Sequence, residues 1–84
     1  MPKYRGVARI RVDRAGEQQV RSIVEAFPKA EFDYPRRVVT DVTVVQAEDE
    51  KAARGQVLGR VNQMLSDAGL SNIDYSVESH ITRL

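Results

Sequence analysis

Cysteine is absent from the chain, which excludes disulfides, thiolate metal sites and cysteine nucleophiles. Tryptophan is absent too, and aromatic residues make up only 6% of the 84 residues. A surface that stacks nucleic-acid bases on aromatic rings is short of material here. Neither sign of charge dominates: 13 Lys and Arg stand against 12 Asp and Glu, a formal net charge of +1. A general polyanion binder carries a much larger basic surplus. No apolar run approaches the roughly 18 residues of a membrane span, and the first residues lack the apolar core of a secretory signal. Three prolines and five glycines are scattered, and no repeat, low-complexity tract or linker divides the chain. The expectation is one cytoplasmic domain over 1–84, without membrane contact.

What is present is patterning. Hydrophobic residues at 42% and charged residues at 30% are too apolar and too balanced for a disordered polyampholyte. Ala8, Ile10 and Val12 alternate with Arg9 and Arg11, the period of a half-buried strand. Asp13 is a candidate helix cap and Glu17 suits a positive first turn. Val20, Ile23, Val24 and Phe27 then fall on one helical face before Pro28 ends it. Ala30, Phe32 and Tyr34 alternate as a short strand broken by Pro35-Arg36-Arg37, and a Val/Thr-rich strand follows from about Val38 to Ala47. Glu48, Asp49 and Glu50 open a second helix with Val57, Leu58, Val61, Met64, Leu65 and Ala68 on one side. Gly69 suits its left-handed cap. Ile73, Tyr75 and Val77 alternate with Asp74, Ser76 and Glu78 as the last strand.

This order predicts an α+β fold, a ferredoxin-like βαββαβ sandwich with a four-stranded antiparallel sheet and two helices on one face. Its core is expected to contain Ile10, Val24, Phe27, Val42, Val44, Val61, Leu65 and Tyr75. Two helices shield one face, so the other is free for a partner. Alternation assigns Arg5, Val7, Arg9 and Arg11 to that open face. If Val42 and Val44 point inward, Val39, Asp41, Thr43 and Val45 join them, with Asp74, Ser76, Glu78 and His80 from the last strand. The arginines then sit between acidic neighbours, an arrangement that suits cross-strand ion pairs. The doublets Val38-Val39 and Val44-Val45 put valine on both sides of a central strand, where a sheet with one wet face normally alternates cleanly. Either a bulge near Thr43 turns Val45 inward, or Val7, Val39 and Val45 form an apolar strip that something covers.

Catalytic and cofactor motifs are missing. No nucleophile sits in a recognisable arrangement, and no glycine-rich loop fits a nucleotide. His80 is the single histidine, and with Asp74 and Glu78 it makes a poor transition-metal set, so no metal and no cofactor are expected. Sequence-specific RNA binding is not expected, because the central strands offer Arg9, Arg11, Thr43 and Val45 in place of aromatics, and Tyr4 has inward parity. Residues 1–39 hold nine basic and five acidic residues against four and seven in 40–84, but the fold interleaves these halves and makes no basic lobe. Weak phosphate contact through Arg5, Arg9, Arg11, Arg36 and Arg37 is the most that follows. Gly55 and Gly59, with Asn62 and Ser66, form a stripe of small residues on the second helix, expected to admit the first helix closely.

The turn Asp13-Arg14-Ala15-Gly16 resembles the Asp-Arg-Pro-Gly turn of the ACT family of amino-acid-sensing regulatory domains. The resemblance covers Asp13, Arg14 and Gly16; Ala15 replaces the proline, and the rest of the chain shows no pattern of that family. It implies an alternative function, a regulatory domain holding a small anionic ligand at this turn. The main expectation is a non-catalytic interaction module that forms a homodimer or meets a protein partner. The contact would be the face of Arg5, Val7, Arg9, Arg11, Val39, Asp41, Val45 and Glu78, met face to face or through an adjacent edge.

Overall fold

The computed structural model describes residues 1–71 and 73–84. It is an α+β arrangement of β1 (Lys3–Arg11), α1 (Glu17–Ala26), β2 (Glu31–Asp33), β3 (Val38–Gln46), α2 (Glu50–Asp67) and β4 (Ser76–Arg83). The four antiparallel strands lie in the order β2-β3-β1-β4, so β1 and β3 are central and β4 sits beside β1. Both helices bury residues against the same side of β1: Val20 and Ile23 of α1 with its C-cap Phe27, and Val57, Val61 and Leu65 of α2, share one core with Ala8, Ile10 and Val12. Among the described residues no helix is long and apolar enough to cross a membrane.

Local chemistry sets the ends of these elements. Gly16, not Asp13, caps α1, and its N–H donates to Gln19 Oε1 at 2.9 Å. Asp13 lies earlier, in a turn where the Ala15 N–H reaches the Val12 carbonyl at 3.1 Å. Asp49 caps α2 by accepting the Ala52 N–H at 2.7 Å. At the other end Gly69 has φ +87°, while its N–H and that of Leu70 close back on the carbonyls of Ser66 and Leu65. This left-handed cap then drives the buried Leu70 under the helix.

Three packing expectations need correction. Val24 is 44% exposed, because the buried stripe runs through Val20, Ile23 and the C-cap Phe27 and leaves Val24 on its flank, where it lines an open depression with Phe32 and Tyr34. Gly55 and Gly59 have open space where a side chain would be, so they admit no neighbour within the chain. The close approach is at Gly6 of β1, where an added Cβ would stand 2.5 Å from Val57 Cγ2. The last strand also begins later than its alternation suggests. Asp74 accepts hydrogen bonds from the Ser71 N–H and hydroxyl at 2.9 and 3.1 Å, making a turn that leaves Ile73 72% exposed ahead of the strand.

The largest correction is the parity of β3. Its register against β1 runs unbroken from Val38 to Gln46, with no bulge at Thr43. Residues opposite each other share a face, so Val39, Asp41, Thr43 and Val45 point toward the helices with Ile10, Ala8, Gly6 and Tyr4. Val42 and Val44 point outward and are each 56% exposed. The hairpin explains this. Phe32 pairs with Val39, and a phenylalanine packed against the core carries Val39 inward with it. The connecting turn has Pro35 in second position, the Arg37 N–H on the Tyr34 carbonyl at 3.2 Å, and Arg37 itself at φ 54°.

Candidate functional site

Register and parity define the open face row by row across β3, β1 and β4. Val38, Arg11 and Ser76 form one row, and Thr40, Arg9 and Glu78 the next. Val42, Val7 and His80 follow, then Val44, Arg5 and Thr82. On the β2 side, Asp33 extends the first row and Glu31 the second. Arg5, Val7, Arg9, Arg11 and Glu78 therefore lie on this face as expected from the sequence. Val39 and Asp41 do not: they are 1% and 5% exposed beneath the helices, and Val45 faces the same way. Asp74 is off the face in its turn, so it shares no strand surface with Glu78 and His80.

The apolar strip is thus Val7, Val42 and Val44, with Val42 directly opposite Val7. Two of its three members escaped a reading based on alternation alone. The parity of Phe32, carried across the hairpin to Val39, is the sequence signal that locates them.

The cross-strand ion pairs expected around the arginines are absent. Among the described residues, Arg5, Arg9 and Arg11 form none. Asp41, their presumed partner, is instead bound by Arg60 of α2 on the opposite side of the sheet. The nearest acids on the open face, Glu31, Asp33 and Glu78, line with Arg9, Arg11 and Arg36 an open depression of about 360 Å³. Of these groups Arg36 and Asp33 approach to 3.8 Å, both well exposed. The face therefore carries free guanidinium groups in its centre, acids at both margins and valines at one end.

The turn of Asp13, Arg14 and Gly16 is a separate place. Asp13 and Arg14 line a small depression of about 260 Å³ with Arg11, Asp74 and Tyr75, while Gly16 is not part of it. The Gly16 N–H is already committed to Gln19. No family model, no curated protein and no solved structure matches this chain.

Proposed function

We propose that this chain is a small non-catalytic binding module, built as a ferredoxin-like sandwich, whose open sheet face docks against that of a second copy. The architecture is supported by the strand order, which taken from the other edge is β4-β1-β3-β2. The binding reading is carried by one observation: an unbulged β3 sets Val42 and Val44 beside Val7 on the two central strands, half-exposed on the side away from the helices.

A second copy suits this surface because its charges are self-complementary. A two-fold axis brings Arg9 and Arg11 of one molecule onto Glu31, Asp33 or Glu78 of the other. Three strands of eight or nine residues, each about 30 Å long, and the short β2, set about 4.8 Å apart, give a face of roughly 500 Å². Two such faces total about 1,000 Å², below the roughly 1,200 Å² of standard stable interfaces, so the contact belongs with the weak, transient ones. A small anion at the Asp13 turn has less in its favour, since one of the needed amides is occupied. Base stacking has less still, because Tyr4 is buried on the helix side.

Sedimentation of the wild type over a concentration series tests the reading. Val42→Glu and Val44→Glu put an uncompensated charge into the contact and are expected to lower the association constant about tenfold or more. A wild type that stays monomeric at high micromolar concentration sinks the proposal, as does a constant that neither substitution moves.

A further inference from the structure

The two edges of the sheet are unequally protected. At one edge β2 is three residues long, bears Glu31 and Asp33, and is followed closely by Pro35. Short length, charge and proline are the usual means of blunting an edge. At the other edge β4 runs for eight residues with no proline, glycine or lysine and only Glu78 and Arg83 charged, paired to β1 without a bulge.

Its backbone orientation can be assigned. The Leu84 N–H donates to the Lys3 carbonyl of β1 at 2.9 Å. Orientation alternates along an antiparallel ladder, so Ser76, Glu78, His80 and Thr82 also turn their backbone groups to β1. Val77, Ser79, Ile81 and Arg83 turn theirs outward, a row of donors and acceptors without a strand partner among the described residues.

We infer that β4 pairs antiparallel with β4 of a second copy about a two-fold axis at Ser79, joining two sheets into one of eight strands. Outward groups must meet outward groups, and each face must continue into the same face, which leaves few registers. With the axis at Ser79, Val77 meets Ile81 of the second copy on the helix side, where both are already half-buried against the core. On the open face the Glu78 carboxylate meets the His80 imidazole, and Ser76 meets Thr82. Moving the axis one residue sets His80 against His80 or Glu78 against Glu78, like against like. The helix above this edge leaves room for the approach. The Tyr75 hydroxyl lies 3.1 Å from Asn62 Oδ1, which marks the β4 flank of α2. Leu58 and Gly55 lie on that flank at helical spacing from Asn62, and nothing stands within 4 Å of where a Gly55 Cβ would be.

Glu78 apart, this edge pairing is carried by different residues from those of the face contact and stands or falls separately. The two axes are compatible in a dihedral tetramer, two eight-stranded sheets laid face to face. The absence of cysteine makes the test direct. Only a residue on the axis meets its own copy, so Ser79→Cys is expected to cross-link in mild oxidant at least about tenfold faster than Glu78→Cys, His80→Cys or Ile81→Cys. Ser79→Pro removes only an outward N–H, so the fold is retained while the two β4 strands no longer pair. Read as the rate of Ser79→Cys cross-linking, Glu78→Lys weakens the pairing, and adding His80→Glu restores it. Faster cross-linking at 78, 80 or 81, or no preference for 79, overturns the proposal. Cross-linking of Ser79→Cys persists when Val42→Glu is added; its disappearance there would mean that the cross-link reports the face-to-face dimer, and would overturn the edge pairing as well.

Discussion

β3 presents valine to both sides of the sheet, and the two sides put it to different use. Val39 is 1% exposed beneath the helices, whereas Val42, three residues on, is 56% exposed on the open face. The residue type is the same, so the difference comes from what lies above it. Burying one such side chain stabilises a fold by about 1.5–3 kcal/mol. On the helix side that free energy is realised when the chain folds. On the open side much of it is still available, to be realised when another surface arrives.

Substitutions on the two faces should separate sharply. The largest expected effect is at Leu65, fully buried in the last turns of α2. Leu65→Ala should cost about 2–5 kcal/mol in denaturant unfolding, and a loss under about 1 kcal/mol would mean that this side is not the core. Next comes the Asp41–Arg60 pair, whose side chains are 7% and 41% exposed. Arg60→Ala strands a buried carboxylate and should cost about 2–3 kcal/mol, less than a fully enclosed pair because Arg60 reaches water. The double change Asp41→Leu with Arg60→Met should recover most of that loss, and its failure to do so would assign the pair a role beyond charge compensation. Gly6→Ala drives a methyl group into Val57 and should cost about 1–3 kcal/mol, read as a lower melting temperature. The smallest effect is on the open face. Val44→Thr should change monomer stability by less than about 0.5 kcal/mol; a core-sized loss would erase the contrast between the faces.

The same contrast shows how far the sequence could be read. Elements whose apolar residues lie on one side were legible: the inward residues of β1, the buried Val57, Val61 and Leu65 of α2, and the Gly69 cap all stand where their spacing put them. β3 was not legible in isolation. With Val38, Val42 and Val44 on one parity and Val39 and Val45 on the other, its hydrophobic pattern fits either assignment, and Asp41 argues for the outward one. Two long-range facts decide it, the pairing of Phe32 with Val39 and the presence of Arg60 above Asp41. Alternation at Ile73 and Tyr75 likewise imitates a strand, but the Asp74 carboxylate closes a turn onto Ser71 before β4 begins. Three of the eight candidate face residues, Val39, Asp41 and Val45, were therefore assigned to the correct strand but to the wrong side of it.

The central position of β1 has a consequence in time. Its neighbours are β3, which ends at Gln46, and β4, which ends at Arg83, so this strand waits for about half of the chain before one side is paired and for nearly all of it before both are. Non-local pairing of this kind forms slowly and leaves a strand edge open meanwhile. Arg5, Arg9 and Arg11 interrupt the apolar residues of β1 at every second or fourth position, which is where gatekeeping charges are needed to discourage premature strand association. Replacing all three with threonine should lower refolding yield through aggregation while leaving the stability of the folded monomer nearly unchanged. In that sense these unpaired arginines act on the nascent chain before there is any sheet for them to decorate.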